Sequence, residues 1–189
     1  MSTRRPTRSP RDAMVDSAIA LFRERGVAAT SLRDVVAHSR APRGSIYHHF
    51  PGGKDELARE ATRRAGDFIA RLLGELVDSA DPVATVDLLV DHWSGVLLGS
   101  DFAAGCPVAA AALAPDDTAG ARDAAGAAFV QWEDLLAGAM RGRGLAADDA
   151  ADRAALVVSA VEGALLVSRA RRTDAPLRAV GRELARTLA

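Results

Sequence analysis

In 189 residues the sequence holds one cysteine, Cys106, so no disulfide forms within the chain, which fits a reducing cytoplasm. Aromatic side chains make up only 4%, and the 49% apolar share therefore rests on Ala, Leu and Val, with Ala and Leu the strongest helix formers. Long apolar runs are missing too. The longest stretch without charge, Phe102 to Pro115, spans 14 residues, holds two prolines and a glycine, and cannot cross a bilayer. Near the N-terminus, Ser17 to Phe22 is too short for a signal-peptide core. No period-two strand pattern and no internal repeat occurs. A membrane protein, a secreted scaffold and a collagen-like chain are excluded.

Catalytic and metal signatures are lacking as well. His38, His48, His49 and His92 show no metal-ligand spacing, and no HExxH, CxxC or GxSxG motif occurs. No metal, cofactor or catalytic residue is therefore expected. His49 reads as packed or phosphate-bonded, and His92 as solvated. Gly142 to Ala147 formally fits a dinucleotide fingerprint, but it follows a helical pattern rather than a strand and reads as an interhelix turn.

What is present is a division of charge. Residues 1–64 carry 13 Lys+Arg against 7 Asp+Glu, and residues 65–189 carry 11 against 18, so a net charge of −1 conceals +6 and −7. A basic third on an acidic remainder suits a chain of which one part meets a polyanion. Lysine is nearly absent: 23 of the 24 basic residues are Arg, and Lys54 stands alone.

The pattern along the chain is helical throughout. Met1 to Ser9, with three arginines and nothing to pack, reads as a disordered arm. Ser9-Pro10-Arg11-Asp12 gives a cap, a first-turn proline and a carboxylate, and Gly26 ends the first helix. Thr30 or Ser31 caps a short second helix with Leu32, Val35 and Val36 inward. After a turn at Ser39-Arg40-Ala41, Pro42 opens a third helix with Ile46 and Tyr47 on its packed side. Pro51-Gly52-Gly53 breaks the chain, and Lys54 begins a long helix to about Val77. Further helices start at Asp81-Pro82, after Cys106-Pro107, at Asp116, near Ala150 and near Ala175. The expected architecture is all-α with about nine helices: an arm over residues 1–9, a helix-turn-helix unit over 10–53 and a helical domain over 54–189.

Two short helices joined by a tight turn and braced by a third form a helix-turn-helix unit. Its second helix must be short, partly exposed and furnished with donors for the major groove. Arg43-Gly44-Ser45-Ile46-Tyr47-His48 meets that demand, with Ile46 as anchor and Arg43, Ser45, Tyr47 and His48 free to face outward. Arginine bonds guanine bidentately, Ser and Tyr bond phosphates, and Gly44 permits close backbone approach.

Thr30 to Val35 (TSLRDV), Pro42 to Phe50 (PRGSIYHHF) and Lys54 to Leu57 (KDEL) closely resemble the DNA-binding segment of TetR-type repressors, over roughly residues 10–60. The resemblance implies a cytoplasmic homodimer on a palindromic double-stranded DNA operator, released when a C-terminal helical domain binds a small effector. Thr30 and Ser31 then look like phosphate contacts, Arg43, Gly44, Ser45 and His48 like groove-facing residues, and Tyr47 and Lys54 like backbone clamps. Two departures stand out. Arg40 occupies the turn position where the family usually has Gly, which implies a positive φ at about 1 kcal/mol. Pro51-Gly52-Gly53 is one residue longer than the commonest spacer. That spacer and Gly105-Cys106-Pro107 are similar to one branch of the family.

In the remainder, Phe68, Trp93, Phe102, Phe129, Trp132 and Met140 read as core, with Trp93 and Trp132 as alternative pocket walls for a mainly apolar effector. Cys106 reads as a small buried residue or a redox sensor. Glu162 interrupts an apolar run and needs a partner: a ligand donor, a second subunit or Arg169. Together Phe68, Trp93, Phe102, Cys106, Phe129, Trp132 and Glu162 are the expected effector pocket. Ala160, Gly163, Ala164 and Val167, with Val180 and Leu184 on the last helix, are the expected dimer contact, because small residues allow close helix approach; an intrachain core helix is the alternative. The two alternatives are a non-specific DNA-coating protein, against which the acidic C-terminal domain argues, and a small-molecule enzyme on a helical scaffold, for which the sequence offers no catalytic constellation.

Overall fold

The computed structural model describes residues 9–42, 44–79 and 81–188. Among the described residues there are nine α-helices, one 3-10 turn and no strand. The proposed disordered arm lies outside them except for Ser9.

Local signals place the first three helices. α1 (Pro10–Arg25) starts where the Ser9 hydroxyl accepts from the Asp12 backbone N–H at 3.1 Å, and it stops at Gly26, whose φ is 83°. α2 (Leu32–Ser39) opens on a capping box. Ser31 Oγ accepts from the Asp34 N–H at 3.2 Å, and the Asp34 carboxylate accepts from the Ser31 N–H at 2.9 Å. Arg40 ends α2 at a φ of 55°, the left-handed conformation implied by its place in the turn. α3 (Ser45–His49) is shorter than the sequence suggests. Gly44 takes a φ of 90°, which no continuous helix passes through, so Pro42 stays outside and Gly44 is the N-cap.

α4 (Gly53–Ser79) has 27 residues and extends about 40 Å. α5 (Pro82–Gly99) is capped by Asp81, and α6 (Pro107–Ala112) by Cys106, whose Sγ accepts from the Ala109 N–H at 3.5 Å. Asp116–Thr118 forms the 3-10 turn, so α7 (Ala119–Gly142) begins three residues later than its expected Asp116 cap. α8 (Ala147–Arg171) starts slightly earlier than expected, and α9 (Ala175–Leu188) matches its pattern. No described helix is long and apolar enough to cross a membrane.

α1 braces α2 and α3 and also touches α4 and α6, while α4 lies along α7, α7 along α8, and α5 and α8 against α9. One apolar cluster continues from Met14, Phe22, Val35 and Phe50 through Leu57 to Trp93, Trp132 and Leu177. The α4–α7 contact is close at Gly66, where a Cβ would lie 2.7 Å from the Ala128 Cβ. Polar ties hold α1 to the rest. The Arg23 carbonyl accepts from the Gly105 N–H at 2.9 Å, and the Arg169 guanidinium donates to the Glu24 carbonyl. Arg64 of α4 pairs with Asp12 at 2.7 Å and Asp16 at 3.7 Å.

Candidate nucleic-acid interface and internal cavities

Ile46 is buried and fixes α3 to the unit, which turns its neighbours outward. Tyr47 is 65% exposed rather than on the packed side, and His48 beside it is exposed, its ring 5.1 Å from that of His49. Packing the spacing onto a five-residue helix leaves one inward position, which Ile46 takes. Ser45 donates its hydroxyl to the Pro42 carbonyl at 2.8 Å, closing the turn, and Gly44 is exposed. Arg43 lies outside the described residues.

Ser31 is exposed at the N-terminus of α2, where free N–H groups and the helix dipole favour an anion. Thr30 does not share that position. Its side chain is buried and donates to the Gly26 carbonyl at 2.8 Å, so it closes the loop after α1 instead of reaching a phosphate. Lys54, in the first turn of α4, donates to the Ala28 carbonyl at 3.3 Å, which sets its ammonium beside the loop leading into α2. The longer spacer is accommodated by Gly53 at a φ of 70° and by a 2.7 Å hydrogen bond from the Gly52 N–H to the Glu56 carboxylate. A cation, a helix N-terminus and outward Tyr47 and His48 thus share the basic end of the molecule.

Four of the seven expected pocket residues line two spaces. A cavity of about 460 Å³ opens between α1, α4, α5 and α6, with Phe68 and Trp93 in its wall. A second, of about 20 Å³, lies among α4, α5, α7 and α8 and is lined by Trp93, Trp132 and Glu162. That is room for one water molecule. Phe102, Cys106 and Phe129 line neither. Phe102 sits in the α5–α6 loop at a φ of 59°, and Phe129 packs edge-on against Trp132 with ring centroids 5.3 Å apart. Trp132 is buried and donates to the Gly66 carbonyl at 3.1 Å, so core is its main role.

Burial pushes the Glu162 carboxyl up to about 7, partly offset by a hydrogen bond from the Cys106 thiol. One of its oxygens, Oε2, is shielded and has no partner. Arg169 is not that partner, since it reaches the Glu24 carbonyl instead. Burial, and then the Glu162 charge, raise the Cys106 thiol well above its ordinary value, which favours the protonated thiol. His92 is not solvated but half-buried in the wall of the large cavity. Burial, reinforced by the nearby Arg23 charge, holds its pKa below the ordinary histidine value. Sequence reasoning missed Arg23 and Arg71 there, because their convergence depends on how α1 meets α4 and α5.

The expected dimer residues also divide. Ala164 and Leu184 are buried within the chain, because α8 and α9 pack on α5 and on each other. Ala160 and Val180 are half-buried, while Gly163 and Val167 are exposed on the outer face of α8 with Leu156 and Leu166.

Residues 14–61 match the family described as bacterial regulatory proteins, tetR family, and residues 82–183 match the transcriptional regulator LmrA/YxaF-like C-terminal domain. An uncharacterised HTH-type transcriptional regulator of Mycobacterium tuberculosis is 42% identical over 181 residues, covering 93% of this chain and 92% of its own. The uncharacterised HTH-type transcriptional regulator YxaF of Bacillus subtilis is 30% identical over 179 residues, 92% of each chain. A TetR transcriptional regulator from Legionella pneumophila superposes with a TM-score of 0.86 at 20% identity, over 98% of this chain and all of the other, which shows the shared fold. A cysteine mutant of the regulator CifR, solved with a 26-bp double-strand operator DNA, superposes at 0.80 with 26% identity, over 98% of this chain and all of that one.

Proposed function

The chain belongs to the TetR family of DNA-binding transcriptional regulators, and from that premise we propose that it is a ligand-responsive repressor. It binds a palindromic operator as a homodimer in the cytoplasm and releases it on binding a small, mainly apolar effector. The observation that carries this reading is the α2–turn–α3 unit. Ile46 is held inward while Gly44, Tyr47 and His48 face out, between the α2 N-terminus and Lys54. A short exposed helix flanked by two phosphate-binding elements fits the major groove, with Arg43 and Ser45 toward bases and Ser31, Tyr47 and Lys54 toward the backbone.

Release follows from geometry. α4 begins at the Lys54 contact and ends in the helical domain, so tilting it would change the separation of two recognition helices. Half-sites about one helical turn apart tolerate little change in that separation. A coupling of about 1–3 kcal/mol between effector and operator would be typical.

Lys54→Ala should weaken binding on all DNA sequences alike and flatten the dependence of log K on log salt by about one unit. The measurement is operator affinity between low and moderate salt for both proteins. An unchanged slope would remove Lys54 from the phosphate contacts and contradict the placement of the interface.

A further inference from the structure

We propose that the cavity at the junction of α1, α4 and α5 is the effector site, and that it takes an amphipathic organic anion: a flat apolar body carrying one carboxylate, sulfonate or phenolate group. The proposal rests on the repressor reading and specifies where and by what that repressor is released. A volume of about 460 Å³ falls within the range of small-molecule sites. The space beside Glu162, at about 20 Å³, does not.

The apolar wall is Phe68 and Trp93. Phe68 is 55% exposed, a large aromatic at a cavity rim with much of its surface uncovered. The charge comes from α1 and α4. Arg23 of α1 contributes a buried Nε that has no hydrogen-bond partner, and Arg71 of α4 stands exposed at the same rim. Asp16 is the one acid among the described lining residues, against Arg23, Arg64 and Arg71, and Arg64 lies 3.7 Å from it. Positive charge therefore remains beside an apolar wall. An anion with a hydrophobic body satisfies both, and a cation is disfavoured.

His92 of α5 makes the site responsive to pH. Its ring lies 5.4 Å from that of Trp93, and its charged form is opposed by burial and by Arg23. Around the cavity that His92 lines, α1 supplies the charged groups Asp16 and Arg23 and α4 supplies Arg64 and Arg71, Arg23 being the one that acts on the ring, while the described α6 residue in the lining is Pro107. An anion bound at Arg23 cancels the repulsion and draws a proton onto His92, so binding tightens as pH falls through the histidine range. The site also acts on the DNA-binding unit without a relay. α1 supplies Ile19 and Arg23 to the cavity, braces α2 and α3, and is held at its C-terminal end by Gly105 and Arg169.

The test compares anilinonaphthalenesulfonate with phenylnaphthylamine, the same framework without the sulfonate, on the full chain by fluorescence. The sulfonate should bind once per chain and at least about tenfold more tightly than the neutral probe. That preference should disappear in Arg23→Gln and shrink in Arg71→Gln, an exposed position where the fold is not at stake. Phe68→Ser should weaken both probes. The preference should grow from pH 8 to pH 6 in the parent and stay flat in His92→Asn. Saturating sulfonate should weaken operator binding. Equal affinity for the two probes, a preference that survives both arginine substitutions, or saturation without loss of operator affinity would overturn the proposal. A chain that fails to bind any operator with the cavity empty would instead overturn the repressor reading.

Discussion

Replacing Gly163 by leucine should give a folded monomer that has lost tight operator binding. The outer face of α8 exposes Leu156, Leu166 and Val167 around Gly163, an apolar strip that its own chain leaves about half uncovered. An isologous contact there would pair α8 with its symmetry mate, matching the two-fold symmetry of a palindrome. Gly163 lets the two backbones approach closely, and a leucine would hold them apart. Within one chain the substitution should be tolerated, because the added Cβ meets open space beyond its own helix backbone and leucine is the better helix former. Separating the half-site readers removes their shared tether, which is worth about two orders of magnitude or more in affinity. Ultracentrifugation with operator titration checks both parts. A dimer of unchanged stability would place the interface elsewhere, and a monomer with undiminished operator affinity would separate assembly from recognition.

Glu162→Gln should stabilise the protein at pH 8 by about 1–3 kcal/mol and leave it unchanged near pH 4.5. The folded chain holds this carboxyl up to about 7 from an ordinary 4.5, mainly because burial opposes its charge. Below the unfolded value both states are protonated, and the full stability is present. As pH rises through 4.5 the unfolded chain releases its proton while the folded chain keeps it, so stability is lost until about pH 7. The loss then levels off at roughly 3 kcal/mol. Glutamine carries no such proton and keeps the cavity filled. Urea unfolding at the two pH values, at one protein concentration, measures the difference. A variant no more stable than the parent at pH 8 would mean that Oε2 has a partner in solution.

Much of this architecture was legible because helix ends are written locally. Ser9-Pro10, Asp81-Pro82 and Ser31 with Asp34 each announce a start through side chains that satisfy free N–H groups within three or four residues. Gly26 and Arg40 mark ends through left-handed or irregular backbone in the same short range. The short α3 was harder. Its start depends on Gly44 at a φ of 90°, and glycine spacing does not reveal the sign of a dihedral angle. Thr30 and Ser31 look alike in sequence, yet the loop after Gly26 buries one and exposes the other. The large cavity was legible only in Phe68 and Trp93. Arg23, Phe68 and His92 lie on three helices, and only tertiary packing brings them together. For the same reason Ala164, small like Gly163, and Leu184 on α9 face inward and leave the exposed strip to their neighbours.

Whether Arg43 and the adjoining α3 read a specific palindrome is decided by selecting bound sequences from a pool of random duplex DNA, with the parent and Arg43→Ala side by side. The parent should enrich one palindrome. The variant should keep the same half-site spacing, bind with affinity lower by about 1–3 kcal/mol, and show relaxed base preference at one position in each half-site. Enrichment of no sequence by the parent, or an identical motif bound equally well by Arg43→Ala, would contradict recognition through Arg43 and α3.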